Sequence, residues 1–179
     1  MKIKRRHIVA ATIGLAAMGA ITPVALASPG AGVSTTVLVT SRLDHRVHLN
    51  ADRIKFQTKV ATDVRVQSLT FAVGGQTGWH HHPGIVLVAV QSGSVTVWDS
   101  HCEAKSYGPG LANGAVFTES GDEPGLVTSA GGALVYATLI APKADPPVFR
   151  LEDAARSCPQ TGAAHDTSGD IHDGGSDDS

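Results

Sequence analysis

The segment Gly78–Gly93 reads GWHHHPGIVLVAVQSG, and it combines a histidine cluster with a strong β-strand signal. Residues 85–90 are all apolar and valine-rich, which predicts a strand covered on both faces. Gln91-Ser92-Gly93 marks a turn, after which apolar and polar residues alternate up to Trp98. The segment therefore predicts a histidine cluster at the start of a buried strand that continues into a hairpin.

Short β signals of this kind recur along the chain, with turn signals about every ten residues. No convincing amphipathic helix interrupts them, apart from a turn or two predicted at 151–156. The pattern predicts an all-β sandwich or barrel. The other predicted strands lie at 37–39, 63–73, 94–98, 115–117 and 134–140.

The predicted strand at 63–73 contains two irregular features. Its apolar residues change parity between Val66 and Leu69, which predicts a bulge or bend near Ser68 because side chains alternate sides along a strand. Gly74-Gly75 then predicts the end of that strand.

The N-terminus has the organisation of a secretory signal. Four basic residues among the first six precede the uncharged stretch 8–27, which ends in Ala25-Leu26-Ala27. This order predicts a signal peptide cleaved after Ala27, and hence a secreted or extracytoplasmic protein with no stable membrane anchor. An uncleaved anchor is the alternative, because the stretch is nearly long enough to span a bilayer. Arg5-Arg6 also points to twin-arginine export, although its flanking residues match that motif poorly.

The remaining chain is predicted to contain a linker at 28–34, a barrel domain at 35–159 and a disordered acidic tail at 160–179. Removal of residues 1–27 would change the net charge from −2 to −6, because that segment carries four basic residues and no acidic one. Mild acidity without a basic stripe argues against nucleic acid or an anionic membrane surface as partner.

Cys102 and Cys158 are the only cysteines, and both follow the predicted signal peptide. In an oxidising compartment they are expected to form a structural disulfide, which would destabilise the unfolded chain by up to about 4 kcal/mol. Two independent buried thiols are the alternative.

His80 and His82 are candidate metal ligands. Residues two apart in an extended chain point to the same face, with Cα atoms roughly 6.5 Å apart, so two imidazoles could reach one ion. His81 would point the opposite way. A polar cluster at the end of a strand is the alternative.

The surrounding spacing resembles the cupin superfamily. Gly74-x5-His80-x-His82 followed by Gly93 is similar to the first cupin motif, Gly-x5-His-x-His-x3-Glu-x6-Gly. The second motif, Gly-x5-Pro-x-Gly-x2-His-x3-Asn, is matched only in its frame, at 114–129. The resemblance covers about residues 60–142 and is to small exported single-domain cupins. It implies a jelly-roll β-barrel, also described as a double-stranded β-helix.

The chain departs from the family at the positions that matter for a metal. A typical cupin site uses three histidines and one glutamate, but here Val86 stands at the glutamate position and Gly125 at the third histidine position. The remaining second-motif residues, Pro, Gly and Asn, are replaced by Ser120, Asp122 and Ser129. Only two of the four implied ligands are therefore present.

Glu119 is a candidate replacement ligand. It precedes the second-motif turn, and with the two histidines it would complete the ligand set of non-haem iron oxygenases. A solvated turn carboxylate is the alternative. His101 is a weaker candidate, and His45 and His48 are expected on the surface. Trp79 and Trp98 would either line a pocket or lie in the core.

These features predict an exported cupin-domain protein that binds a small molecule and a divalent metal (Fe, Mn, Zn, Cu or Ni) at His80 and His82. The presence of Val86 and Gly125 at ligand positions favours a barrel that has lost its metal and only binds a ligand. A metal-dependent enzyme of dioxygenase or isomerase type is one alternative. Extracellular metal binding without catalysis, through the histidines and the tail, is another. The uninterrupted strand at 85–90 is compatible with a homodimer.

Overall fold

The computed structural model describes residues 29–158, and its secondary structure in that range consists of twelve β-strands without a helix. This part of the chain accordingly has no helix long and apolar enough to cross a membrane. The predicted signal peptide and the predicted acidic tail lie outside the described residues. The strands are β1 (Ala31–Leu43), β2 (His48–Ala51), β3 (Ile54–Gln57), β4 (Thr62–Gln76), β5 (His80–His81), β6 (Ile85–Gly93), β7 (Val95–Trp98), β8 (Ala104–Tyr107), β9 (Val116–Ser120), β10 (Leu126–Ser129), β11 (Ala133–Pro142) and β12 (Leu151–Glu152).

Eight strands form one antiparallel sheet in the order β8-β7-β10-β4-β11-β6-β9, with β1 paired to β4 outside this path. The sheet curls into a nearly closed barrel around a cavity lined from six of its strands. The pairs β2-β3 and β5-β12 form two smaller sheets. The predicted all-β barrel is confirmed.

Strand β1 begins at Ala31, before the predicted domain start at residue 35. Ala31 pairs with Gln76, and the next registered pair is Val33 with Phe71. Residues 31–34 of the predicted linker are therefore strand. The local Gly and Ser content is outweighed because β4 offers this segment a row of backbone hydrogen bonds.

The bulge predicted near Ser68 is wrong for β4. The register between β4 and β11 is continuous from Thr62 to Phe71, and the nearby irregularity lies in β1, between Val37 and Val39. The apolar parity changes because the interior face of β4 is polar at one end and apolar at the other. The side chains of β4 that line the cavity are Arg65, Gln67, Leu69 and Phe71.

Strand β4 also continues through Gly74-Gly75, where the sequence predicted its end. Gly74 has φ 75°, and a Cβ on Gly75 would lie 2.5 Å from the carbonyl oxygen of Gly32. The two glycines therefore allow an irregular, close crossing with β1 instead of ending the strand. Beyond them Gln76 pairs with Thr128 of β10.

Strand β6 is covered on one face only. Val86, Val88 and Val90 are at most 5% exposed, whereas Ile85 and Leu87 are 49% and 45% exposed. The prediction of a strand buried on both faces is therefore wrong. A continuous apolar run does not distinguish a doubly covered strand from one with an apolar outer face.

A second, smaller core lies outside the barrel cavity. It consists of Trp79, Trp98, Leu126 and Cys158, with Cys102 packed against it. The predicted disulfide joins Cys102 to Cys158, with the Cα atoms 5.4 Å apart. Both tryptophans are therefore core residues.

The helical turn predicted at 151–156 is wrong. Leu151 and Glu152 form β12, which pairs with His81 and His80 of β5. The backbone nitrogen of Asp153 also donates to the carbonyl oxygen of Trp79 at 3.0 Å. Pairing with β5 thus decides the conformation of this short segment, because one or two helical turns are marginal in isolation.

Candidate metal centre

His80 and His82 both face the barrel cavity and are 4% and 7% exposed. Backbone hydrogen bonds of 2.9 Å and 2.8 Å join His80 to Gly125, and β12 pairs with β5. His81 points away from the cavity, and its Nδ1 lies 2.7 Å from Oδ2 of Asp153. The extended backbone thus places two of the three imidazoles on one side, as the spacing indicates.

Backbone carbonyls determine the tautomer of both cavity histidines. Nδ1 of His80 lies 2.9 Å from the carbonyl oxygen of Gly78, and Nδ1 of His82 lies 2.6 Å from that of Phe149. A carbonyl oxygen only accepts, so Nδ1 carries the proton in each ring. In the neutral form, each ring therefore presents the lone pair of Nε2 to the cavity, the arrangement found in metal-ligating histidines.

Glu119 completes a group of three. Its Oε2 lies 3.4 Å from Nε2 of His82, and one ligand atom from each of His80, His82 and Glu119 lies within 4.8 Å of the others. Glu119 is therefore a cavity residue on β9 and not a solvated turn carboxylate. Two neutral imidazoles and one carboxylate suit iron, manganese, zinc, copper or nickel.

One atom of this group tests whether a metal fits. Nε2 of His82 is buried and has no hydrogen-bond partner among residues 29–158. In a neutral ring this nitrogen is an acceptor, and it faces a carboxylate oxygen that is also an acceptor. A cation would satisfy both groups, so the residues present fit a metal ion.

Burial lowers the pKa of the His80 imidazole to about 4. The positive charge of Arg150 contributes to this lower pKa, and the negative charge of Glu119 opposes both effects. His80 is consequently neutral near pH 7, as a metal ligand must be.

Val86 and Gly125 occupy the positions that the cupin resemblance assigns to ligands, and neither has a ligating side chain. Val86 is 2% exposed, lines the cavity and lies directly opposite Glu119 in the β6–β9 pair. A Cβ on Gly125 would lie 3.9 Å from Oε1 of Glu119. Both positions therefore adjoin the cluster, and the carboxylate is on the strand next to the expected one.

The other histidines that the structure describes do not join this group. The His101 side chain is 79% exposed, and its Nδ1 lies 3.5 Å from Oε1 of Glu123. His45 and His48 are exposed, as predicted.

The cavity next to the cluster has a volume of about 630 Å³ and is mainly apolar. Sequence reasoning missed several polar or aromatic residues that line it. The only available signal was the alternation of Arg65 and Gln67 with valines in β4, and nothing local marks the residues beyond β11. The missed residues include Arg65, Gln67, Phe149 and Arg150.

Neither a family model nor a curated protein matches the sequence. Among solved structures, a conserved protein of unknown function from Streptococcus pyogenes is 16% identical with a TM-score of 0.44, covering 63% of this chain and 76% of that one. Salicylate 1,2-dioxygenase from Pseudaminobacter salicylatoxidans is 16% identical with a TM-score of 0.36, covering 42% and 20%. An oxalate oxidase is 20% identical with a TM-score of 0.35, covering 42% and 40%. This chain spans less than half the length of either enzyme.

Proposed function

We propose that this chain is an exported cupin-type barrel that binds a divalent metal through His80, His82 and Glu119, and a small molecule in the cavity beside it. The observation that carries the proposal is the buried Nε2 of His82, which has no hydrogen-bond partner in the described part of the chain and faces the Glu119 carboxylate at 3.4 Å. Leaving such a nitrogen unpaired costs about 1–3 kcal/mol, and a metal ion would remove that cost.

The chain's own residues define what this site can do. The carbonyl oxygens of Gly78 and Phe149 hold the two imidazoles in the ligating tautomer. The cavity wall beside the cluster is mainly apolar. A divalent transition metal held there would polarise an oxygen of a bound molecule or activate dioxygen or water.

A metal-dependent enzyme of the dioxygenase or isomerase type is the second candidate. The donor set supports it, because three protein ligands leave coordination positions open for a substrate, as in catalytic sites. Metal binding without catalysis would require only affinity, and a ligand-binding barrel would require no metal at all.

Export is part of the proposal, with cleavage after Ala27. The disulfide between Cys102 and Cys158 supports it, because such bonds persist in oxidising compartments. Mass spectrometry of the protein from its native host should give an N-terminus at Ser28 and a signal from the extracytoplasmic fraction. A full-length cytoplasmic protein would contradict export without affecting the metal proposal.

Cobalt(II) titration of chelator-treated protein tests the metal site, because the visible absorption of cobalt(II) reports ligand number and geometry. One equivalent should bind, and His82→Ala or Glu119→Gln should abolish the spectrum. His101→Ala is the matched control, since His101 is exposed and lies outside the cluster. An unchanged spectrum in Glu119→Gln would remove Glu119 from the ligand set, and no cobalt binding at all would contradict the metal site.

A further inference from the structure

Arg65 is a charged side chain inside the barrel that the metal site does not use. It lies on the interior face of β4 and lines the cavity. Its Nε donates to the hydroxyl oxygen of Thr40 at 3.2 Å, and its guanidinium carbon lies 4.3 Å from the centre of the Phe149 ring. These two contacts restrain the guanidinium, one through Nε and the other through its face.

Within residues 29–158, Arg65 forms no salt bridge. The second arginine of the cavity wall differs, because Arg150 pairs with Glu152 at 2.5 Å and 2.8 Å and donates to the carbonyl oxygen of Thr77. Glu119 faces His82. Arg65 is therefore the cavity cation whose charge is not neutralised by a described carboxylate.

The strand register places Arg65 in the same row of cross-strand neighbours as Glu119 of the metal site. Arg65 pairs with Leu139, Leu139 with Val86, and Val86 with Glu119, and all four side chains line the cavity. Three strand spacings separate the ends of this row, about 14 Å along the curved sheet and less across the cavity. A small molecule could thus contact Arg65 and the metal cluster together.

The adjacent row is almost entirely apolar. Gln67 pairs with Ala137, Ala137 with Val88, and Val88 with Phe117. A ligand body resting on this row would lie against hydrocarbon and aromatic surface, with the Gln67 amide as the one polar group.

We propose that the cavity ligand is a small carboxylic acid, whose carboxylate pairs with the guanidinium of Arg65 while its apolar body packs against Val88 and Phe117. This rests on the proposed function, in that the cavity is a small-molecule site. A planar guanidinium held by stacking presents parallel N–H groups that match a carboxylate in bidentate fashion. A cavity of about 630 Å³ is of ordinary size for such a ligand.

Calorimetric titration with benzoate and hexanoate, each against its uncharged amide, tests this inference. We expect each acid to bind at least about tenfold more tightly than its amide, as one charge-assisted pair provides. Arg65→Gln should remove that preference, and Arg53→Gln, at an exposed turn position, should retain it. Equal binding of acid and amide, an unchanged preference in folded Arg65→Gln, or no binding of either acid would overturn the inference.

Titrations of both chelator-treated and zinc-loaded protein separate this inference from the metal site. An Arg65-dependent preference in protein that fails to bind zinc would support the carboxylate site and contradict the metal proposal. Normal zinc binding without a preference for the acid over its amide would support the metal site and contradict the carboxylate site. The acid–amide comparison in the unmodified protein also decides the question if Arg65→Gln does not fold.

Discussion

Val86 and Glu119 lie directly opposite each other on the neighbouring strands β6 and β9, and both side chains line the barrel cavity. The cupin resemblance places a carboxylate ligand at position 86, where this chain has an apolar side chain. The carboxylate is present one strand away, with Oε2 3.4 Å from Nε2 of His82. The absence of the expected glutamate therefore does not remove the carboxylate from the cluster.

Moving the carboxylate between these two positions should preserve the site. Glu119→Val should weaken metal binding by at least about a hundredfold, more than the loss of a ligand's hydrogen-bonding partner typically costs. Adding Val86→Glu in the same chain should recover most of that affinity, because residues opposite each other have Cβ atoms about 5 Å apart. Metal titration of the single and double variants measures both effects. A double variant no better than Glu119→Val would show that position 86 does not reach the metal.

Gly125→His should strengthen metal binding by about tenfold or more. A Cβ at this position would meet the Trp98 carbonyl oxygen at 3.6 Å and Oε1 of Glu119 at 3.9 Å, which are ordinary contacts. The backbone of Gly125 is already fixed by two hydrogen bonds to His80. Competition with a chelator of known affinity measures the change, and Gly125→Ala is the matched control for the added Cβ. Equal affinity in the two variants would show that the second-motif frame is misplaced.

The stability of the metal-free protein should fall between pH 6.5 and pH 4. Burial lowers the pKa of His80 to about 4, whereas an unfolded histidine has a pKa near 6.5. The unfolded state therefore binds a proton across this window that the folded state does not, and stability falls as pH decreases. The loss should reach about 3 kcal/mol at pH 4 and then level off.

Urea denaturation across this pH range measures that loss. In His80→Gln the loss of stability on acidification should be smaller, because this variant lacks the titrating imidazole. The difference between the losses of the two proteins measures the contribution of His80. If the free energies of unfolding of the parent and of His80→Gln change equally with pH from 7 to 4, His80 is not desolvated in the folded protein.

The Arg42–Asp63 ion pair should be a major contributor to stability. The Asp63 side chain is 1% exposed, and its two carboxylate oxygens accept from Nε and Nη2 of Arg42 at 2.6 Å and 3.3 Å. The backbone nitrogen of Ala144 also donates to it, at 3.0 Å. Arg42→Ala should lower the free energy of unfolding, because it leaves the little-exposed Asp63 carboxylate without its counter-charge. Arg46→Ala, at an exposed position, is the control, and a loss within about 0.5 kcal/mol for both would contradict this role.

Replacing both cysteines with serine should lower stability by about 4 kcal/mol, because the bond closes a loop of 56 positions. The same variant should alter tryptophan fluorescence, since Trp79 packs in the core next to Cys158 and donates to the Arg156 carbonyl oxygen at 3.2 Å. Chemical denaturation followed by fluorescence measures both effects. A variant as stable as the parent, with the same emission, would show that the disulfide does not order the chain around Trp79 and Cys158.

Local sequence pattern predicted the features that depend on a few neighbouring residues. The two-residue spacing of His80 and His82 was enough to place both rings on one side, and the order of turn and strand signals was enough for the all-β class. The pattern failed where pairing partners decide the outcome. Gly74-Gly75 continues β4 because β1 approaches it closely, and residues 151–156 follow β5 instead of forming a helical turn.

The rest of the site depends on contacts between distant segments. The carbonyl oxygen that orients His82 belongs to Phe149, 67 positions away. The inward position of Arg65 follows from the register of β4 with β11, and a polar residue between valines is equally typical of a solvent-facing position. No pattern within either segment carries that information.

Metal content is the most direct test of the account. The protein, purified without a polyhistidine tag, should contain close to one equivalent of iron, manganese, zinc, copper or nickel by mass spectrometry. The His80→Ala/His82→Ala double variant, prepared alongside and folded, should contain almost none. Equal metal content in the two proteins, or no metal in either even after incubation with these ions, would contradict a metal centre at His80, His82 and Glu119.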